Sequence, residues 1–345
     1  MQLSPLTKRR LQKFKRSKRA YYSLWILIIL YVISLFANFI ANDQPLVVKY
    51  HGKYFFPVLR FYNGANFGLE ATDVPNYKQL QQSPVFHKDK TNWMLFPPIP
   101  YGSNESIRNL RDNPPTSPTL QNLLGTDDRG RDILTRLLYG YRISFSFALL
   151  ITASSMALGI VMGALQGYWG GLFDLSVQRL IEIFSALPFL YIVIIIGSSL
   201  GPSFGMLLLV FTVFDWVGIS YYIRSDFFRL REMQFVEASK ALGVRDWKIM
   251  FRHILPNALT PVLTFLPFDL IGSFSSLSAL DFLGYGLPPP TPSWGELMSQ
   301  GMSNIQSYWL LLFPALALFL ILLLIALVGE GIRDAFDPKE YHRME

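Results

Sequence analysis

Six long apolar runs constrain the fold of this 345-residue chain more than any other feature. A helix needs roughly 20 apolar residues to cross about 30 Å of hydrocarbon, and each run approaches or exceeds that length. Hydrophobic residues make up 51% of the chain and charged residues only 16%, which excludes an ordinary soluble domain. We therefore predict an all-α polytopic membrane protein with six transmembrane helices, namely Tyr22–Ile40, Ile143–Leu165, Ile181–Leu200, Gly205–Ile223, Ala258–Leu280 and Tyr308–Val328.

The flank before the first run decides the predicted orientation. It carries no acid, and its basic residues are Lys8, Arg9, Arg10, Lys13, Lys15, Arg16, Lys18 and Arg19. Short flanks rich in Lys and Arg stay in the cytoplasm, so six crossings place both termini there. The first run is longer than the apolar part of a signal peptide and no A-x-A cleavage site follows it, which indicates a retained anchor.

A charged stretch, Arg224–Asn257, separates the fourth and fifth runs and is called the insert below. It holds seven Lys or Arg against four Asp or Glu, so it cannot lie in hydrocarbon, and the crossing count places it in the cytoplasm. Good helix formers from Gln234 onward predict a helix that ends at about Leu242, because Gly243 readily takes the left-handed conformation after a helix.

The second half of the insert predicts another short helix. Asp246 is a plausible N-cap and Pro256 is expected to end the helix. Between them the apolar residues recur at helical spacing on one face: Trp247, Met250, Phe251, Ile254 and Leu255.

The insert resembles the EAA loop of the membrane subunits of bacterial ABC importers. The resemblance rests on Glu237-Ala238-Ser239, on Gly243 six residues after the Glu, and on Leu255-Pro256. Ser239 and His253 depart from the general pattern, although the run from Arg252 to Asn257 is similar to the oligopeptide and dipeptide branch. In that family the loop sits in a groove of the ATPase subunit. The resemblance therefore implies an ATPase-coupling role for Phe235, Val236, Glu237, Ala238, Ser239, Ala241, Leu242, Gly243, His253, Leu255 and Pro256. The alternative is an amphipathic helix that rests on the membrane surface.

Two further motifs resemble the same branch. The first comprises Leu124-Gly125-Thr126-Asp127, Gly130-Arg131-Asp132 and Arg136 to Gly140, and the second comprises Asp281 to Pro288 followed by Pro292 to Glu296. Many members have a Glu where this chain has Leu277. The residue sequence around Asp281 and the long segment after the first run most resemble the sub-branch that imports microcin C and related peptides.

The resemblance implies an organisation and a set of partners. A basic tail and first anchor (1–41) and a periplasmic segment (42–141) would precede a type I ABC importer core (142–333) and a cytoplasmic tail (334–345). The chain would be a multi-pass permease subunit in the bacterial inner membrane. Its partners would be a second homologous permease, ABC ATPase subunits and a periplasmic peptide-binding protein, and its substrate a peptide.

The periplasmic segment 42–141 contains one local structural signal. Val47–Tyr50 and Lys53–Phe56 read as a β-hairpin, with Gly52 in the turn position that needs a positive φ. The stretch from Asn104 to Pro118 looks irregular. The segment is either a structural cap over the mouth of a path or a dock for a binding protein.

The sequence offers no signature of catalysis or of a bound cofactor. No phosphate-binding Gly-x-x-x-x-Gly-Lys-Ser/Thr loop occurs, the four His have no metal-ligand spacing, and Cys is absent. We expect a non-catalytic subunit without a cofactor of its own, with ATP and Mg²⁺ bound and ATP hydrolysed by partner ATPases.

Charged groups inside the apolar runs are costly, so they indicate a cavity, a partner or a pathway. Asp215 and Asp269 lie near mid-span and are predicted either to line the substrate path or to pair inside the bundle. Asp281, at the end of the fifth run, either lines the path or caps the Gly-rich turn after it. Arg179 and Glu182 are expected to form an ion pair. Kinks are expected at Pro188, Pro261 and Pro267.

Two other classes of function fit part of the sequence. An ion- or proton-driven secondary transporter would use Asp215 and Asp269 as a relay, but it leaves the insert unexplained. A membrane scaffold or receptor that binds through segment 42–141 leaves both Gly-rich motifs unexplained.

Overall fold

Helices account for most of the chain in the computed structural model, which describes residues 5–69, 74–108, 110 and 112–336. The predicted tail 334–345 lies outside the described residues from 337 onward. The α-helices are α1 (Pro5–Arg16), α2 (Lys18–Leu35), α3 (Ala37–Ile40), α4 (Tyr77–Gln82), α5 (Pro84–His87), α6 (Ile133–Trp169), α7 (Gly171–Ala186), α8 (Phe189–Leu200), α9 (Phe204–Leu230), α10 (Gln234–Ala241), α11 (Asp246–Lys248), α12 (Leu255–Ala258), α13 (Thr260–Phe282), α14 (Trp294–Ser303) and α15 (Trp309–Phe336). The strands are β1 (Val47–Tyr50), β2 (Lys53–Phe55) and β3 (Trp93–Leu95), and Ile249–Ile254 forms a π-helix.

Five helices in the described part of the chain, α2, α6, α9, α13 and α15, are long and apolar enough to cross a membrane. The pair α7 and α8 passes the same test together, which agrees with the six predicted spans if this pair is one span. The third predicted span, Ile181–Leu200, is bent by 81° between α7 and α8, which confirms the kink expected at Pro188. Leu187 is extended there and Pro188 has no N–H to continue the helix.

The helix boundaries also extend beyond the predicted apolar runs. Helix α6 begins at Ile133 rather than Ile143, and α9 continues through the first charged residues of the insert to Leu230. An apolar run marks only the part of a helix that hydrocarbon can solvate, whereas the backbone hydrogen bonds continue wherever charged side chains can reach water.

The chain divides into two compact units. Unit 1 takes its described residues from 1–28, 144–288 and 319–345, and unit 2 takes its own from 29–143 and 289–318.

A stripe of glycines on α6 controls the packing of unit 1. Gly159, Gly163 and Gly167 are spaced one turn apart and face α9. A Cβ added at Gly163 would lie 2.5 Å from the carbonyl oxygen of Ser220, and one at Gly167 would lie 2.4 Å from Cβ of Phe227. Contacts that short are impossible, so α6 and α9 approach backbone to backbone along this stripe.

A hydrophobic cluster surrounds the ends of α6 and α9 that are predicted to face the cytoplasm. It joins Tyr168 of α6 and Phe227 of α9 to Val236 and Met250 of the insert, all of them buried. Beside the cluster, the guanidinium of Arg224 donates two hydrogen bonds to the Asp174 carboxylate, at 2.5 and 2.6 Å. The insert is therefore packed onto the spans of unit 1 rather than projecting freely.

Unit 2 contains the predicted hairpin and a third strand. Strands β1 and β2 pair antiparallel through a turn in which both His51 and Gly52 have positive φ, so the hairpin and the role of Gly52 are confirmed. Strand β3, which the sequence did not indicate, pairs on the other side of β1 and gives the order β2-β1-β3. One face of the sheet covers a small core with Phe67, Tyr77, Leu80 and Phe86. The described residues between 104 and 118 contain neither helix nor strand, as expected.

The glycine stripe gives a direct test of the packing in unit 1. Gly163→Ala should lower the free energy of unfolding by about 1–3 kcal/mol, because the added methyl group forces α6 away from Ser220. Equilibrium unfolding of the purified chain in mixed detergent micelles measures this change. Gly272→Ala on α13 is the matched control, since its Cβ would meet no atom within 4 Å. Equal unfolding curves for both variants would contradict the close α6–α9 approach.

Candidate coupling surface and membrane path

The first half of the insert ends as predicted. Helix α10 is followed by Leu242 and then by Gly243, whose φ is +71°. The N–H of Gly243 donates to the carbonyl of Lys240 and the N–H of Val244 to that of Ser239. These two bonds form a Schellman motif, which satisfies carbonyls that the end of the helix would leave unpaired.

The second half of the insert differs from the prediction in two ways. Asp246 is the first residue of α11 rather than its N-cap; Arg245 precedes the helix and makes no side-chain cap. The Asp246 carboxylate instead accepts a hydrogen bond from the hydroxyl of Tyr168, at 2.5 Å. The Asp246 side chain therefore bonds Tyr168, which is distant in the sequence, instead of capping the start of its own helix.

Pro256 does not end the helix, contrary to the prediction. The chain passes from α11 through the π-helix into α12 and remains helical to Ala258. A proline ring crowds the carbonyl four residues earlier and cannot bond to it. The wider turns of the π-helix before Pro256 give that carbonyl room, which explains why the helix continues.

The insert has a buried face and an exposed apolar face. Val236, Ile249, Met250 and Ile254 are buried against the spans. On the other side, the exposed apolar side chains include Met233, Phe235, Leu242 and Trp247, with Leu242 at 83% and Trp247 at 64% exposure. A shallow cavity of about 490 Å³ lies among Leu242, Gly243, Val244, Arg245, Trp247 and Lys248. Such a face on a charged loop fits contact with another protein.

The predicted coupling residues divide between these two faces. Val236 is buried, whereas Ser239, His253 and Leu255 are half-buried. The exposed members are Phe235, Glu237, Ala238, Ala241, Leu242, Gly243 and Pro256. The first half of the insert therefore presents most of the predicted contact surface.

Two mid-span carboxylates lie on neighbouring helices. Asp215 lies on α9 and Asp269 on α13, two helices that pack against each other. Asp215 is exposed and Asp269 half-buried. Within the described residues neither carboxylate forms a hydrogen bond or an ion pair, so both can accept a partner from outside this chain.

Asp281 occupies a different environment. It is buried, and its carboxylate accepts a hydrogen bond from the N–H of Leu287 at 2.7 Å. A Cβ at Gly286 would overlap this carboxylate, so the Gly-rich turn folds directly around it. This geometry matches the turn-capping alternative for Asp281. The expected ion pair of Arg179 and Glu182 is present at 2.6 Å on the exposed surface of α7.

A buried network of charges joins the two Gly-rich motifs within unit 2. Asp127 Oδ2 accepts from Arg131 Nε at 2.6 Å, and Glu296 accepts from Arg131 at 3.2 Å and from Arg136 at 2.5 Å. Arg136 is fully buried. Both motifs were recognisable in the sequence, but nothing in their pattern indicated that their charges meet.

The aromatic residues of the same motifs pack beside this network. Trp294 stacks on Tyr141, with ring centroids 6.0 Å apart, and donates its Nε1–H to the carbonyl of Leu137 at 2.9 Å. Gly140 leaves the space for the indole ring, since a Cβ there would lie 2.8 Å from it. The start of α14 is thus fixed to the start of α6 by ionic, aromatic and backbone contacts.

Two protein families and a solved structure are similar to parts of this chain. Residues 155–340 match the family described as "Binding-protein-dependent transport system inner membrane component". Residues 5–52 match "N-terminal TM domain of oligopeptide transport permease C". Among solved structures, a chain of the inward-facing MetNI methionine ABC transporter is similar over 58% of this chain and 96% of its own length, with 18% identity and a TM-score of 0.48.

Two curated relatives match over nearly the whole chain, and a third matches over about two thirds of it. The peptidoglycan transport system permease protein YejE of Agrobacterium fabrum is 44% identical over 99% of this chain and 95% of its own length. The inner membrane ABC transporter permease protein YejE of Escherichia coli K12 is 42% identical over 98% of both chains. The oligopeptide transport system permease protein OppC of Haemophilus influenzae is 36% identical over 65% of this chain and 73% of its own length. The chain therefore belongs to the family of inner membrane components of binding-protein-dependent transport systems, as a non-catalytic, multi-pass permease subunit of an ABC importer.

Proposed function

We propose that this permease forms, with a second homologous permease, the path by which peptides cross the inner membrane. The observation that carries the proposal is the exposed apolar face of the insert, which lies on the residues that resemble the family's ATPase-contacting loop. A peptide as the substrate is supported by relatives that are named for oligopeptide and peptidoglycan transport. The sequence resemblance adds modified peptides such as microcin C to the candidate substrates.

The remaining partners follow from the family. Two ATP-binding domains would bind and hydrolyse ATP with Mg²⁺, and this chain would carry no cofactor. A periplasmic peptide-binding protein would deliver the substrate. ATP binding would draw the two ATPase domains together and move the insert, which is packed on the spans through Val236 and Met250.

Coupling through the insert is tested by Gly243→Gln in a complex reconstituted in proteoliposomes. Any side chain other than Gly costs about 1 kcal/mol or more at this φ of +71°, so the end of α10 should shift and the contact with the ATPase weaken. We expect ATP-driven peptide uptake to be lost while the permease still inserts. Glu237→Lys, which reverses an exposed charge without straining the backbone, should have the same effect.

Gly52→Gln is the matched control for this experiment. Gly52 has a similar φ, +76°, and open space around it, but it lies in the β1–β2 turn rather than in the insert. Normal uptake by Gly243→Gln would remove the coupling role. Uptake that needed no ATPase and followed an ion gradient would favour a secondary transporter.

We propose further that both termini and the insert lie in the cytoplasm. The support is the basic flank of α2 and a count of six crossings, which requires the bent pair α7–α8 to cross the membrane once. If that pair instead re-entered from one side, the insert would move to the opposite face.

Cysteine labelling in spheroplasts and inverted vesicles decides the topology, and the chain has no native Cys to interfere. Lys248→Cys in the insert should react with an impermeant maleimide only from the cytoplasmic side. Gln81→Cys, on the exposed surface of α4, should react only from the periplasmic side. Labelling of both positions from one face would show that α7–α8 does not cross.

We propose that Asp215 and Asp269 line the path and attract the positive amino terminus of a peptide. The support is their position on adjacent spans without a partner among the described residues. The predicted path role of Asp281 is less well supported, because its carboxylate is already engaged by the turn that follows α13.

Asp269→Asn tests this path. An ion pair with a hydrated carboxylate is worth about 1 kcal/mol or more, so the ratio of uptake of a free peptide to that of its N-acetylated form should fall about fivefold. The complex should still assemble and hydrolyse ATP. Asp226→Asn, which removes an exposed ion pair with Arg229 near the end of α9, is the control. Poor assembly of Asp269→Asn with an unchanged uptake ratio would indicate a structural role instead.

A further inference from the structure

Tyr168 makes polar contacts with both halves of the insert. It lies in the last turn of α6, and its ring is buried in the cluster that contains Ile249 and Met250. Its hydroxyl donates to Asp246 Oδ1 at 2.5 Å, in the second half of the insert. The ammonium of Lys240, in the first half, lies 5.5 Å from the centre of its ring. Among the described residues of α6, no other one makes polar contacts with both halves of the insert.

A second contact holds the end of α6 from the side of α9. The Nη1 of Arg231, the first residue after α9, donates to the carbonyls of Gly167 and Tyr168 at 3.2 and 3.3 Å. These carbonyls belong to the last turn of α6, where a cation is favourable because the helix exposes unpaired carbonyl groups. The end of α6 is thus bonded at two places in the insert, Arg231 and Asp246.

The chain connectivity gives these contacts a part in any motion that the insert passes to α6. The insert is covalently continuous with α9 and α13, so a displacement of the insert reaches those helices through the backbone. Helix α6, by contrast, is not directly continuous with the insert along the backbone. The glycine stripe brings α6 and α9 close, and the hydroxyls of Ser154 and Thr212 share a hydrogen bond at 2.7 Å between them, but that hydrogen bond lies away from the end of α6 that faces the insert.

We propose that Tyr168 and Asp246 form the joint through which movement of the insert is passed to α6. This inference rests on the proposed coupling function of the insert and adds a positioning residue that lies outside the insert itself. The hydroxyl of Tyr168 bonds α6 to the second half of the insert. Arg231, the first residue after α9, bonds the last turn of α6 as well. A tilt of the insert then rotates α6 instead of leaving it in place.

Tyr168→Phe tests the joint, because it removes the hydroxyl and keeps the ring in the cluster. In the reconstituted complex, the number of peptides moved per ATP hydrolysed should fall severalfold, because the hydrogen bond that passes the movement to α6 is lost. The amount of assembled complex and the rate of ATP hydrolysis should stay at the wild-type level. Tyr222→Phe is the control, since its ring stacks on Phe265 and its hydroxyl has no hydrogen bond among the described residues.

A double-variant cycle separates the joint from a general loss of stability. Asp246→Ala should lower the same ratio to a similar extent, and the pair Tyr168→Phe with Asp246→Ala should be no worse than either variant alone. Additive losses, or a fall in assembled complex that accounts for the lost uptake, would overturn the proposal.

The outcome also distinguishes the joint from the coupling role on which it rests. If Gly243→Gln abolishes uptake while Tyr168→Phe retains the wild-type ratio of peptide to ATP, the insert couples and only the joint is refuted. If neither variant has an effect, the coupling role itself is lost, and the joint with it.

Discussion

The close approach of α6 and α9 is the contact on which unit 1 depends. Helices in hydrocarbon gain little from burying apolar side chains against each other, because lipid tails are equally apolar. Association therefore requires close van der Waals packing, and three glycines at one-turn spacing allow the backbones themselves to touch. A side chain at any of these positions would separate the helices. The glycines thereby set the position of Arg224, which bonds Asp174 of α7, and of the end of α9, where the insert begins.

The contact also explains which parts of the fold could be predicted. Apolar runs, the hairpin turn at Gly52 and the helix stop at Gly243 are local, because each depends on residues a few positions apart. The α6–α9 contact joins residues about sixty positions apart, and a glycine in an apolar run looks the same whether it faces a helix or lipid. Gly163 faces a helix and Gly272 faces open space, although both lie within apolar runs. The third strand was missed for the same reason, since β3 is far from β1 in the chain.

Two predictions failed because a distant contact or a wider helix overrode a local rule. Asp246 has the side chain of an N-cap, but Tyr168 takes its carboxylate. Pro256 should end a helix, but the π-helix before it accommodates the ring. At Pro188 the local rule held instead: the apolar run over Ile181–Leu200 is bent there, as expected, with residue 187 extended. Of the candidate site, sequence indicated the coupling residues and the mid-span carboxylates individually. It could not indicate that Asp215 and Asp269 lie on helices that pack against each other, or that the charges of both Gly-rich motifs form one network.

The strong polar bonds of this chain lie at helix ends rather than along the spans. Arg224 bonds Asp174, Tyr168 bonds Asp246, and, within unit 2, Arg136 bonds Glu296, all near the start or end of a long helix. Along the spans the hydroxyls of Ser154 and Thr212 share a hydrogen bond at 2.7 Å, and the rest of the α6–α9 contact uses small residues and apolar surfaces. Directional bonds fix distance and angle, whereas packed apolar surfaces fix distance alone. A permease that must change shape needs both properties. In the proposed function, helix ends that stay bonded would receive force from the insert, and apolar contacts between the spans would let the helices rotate against one another.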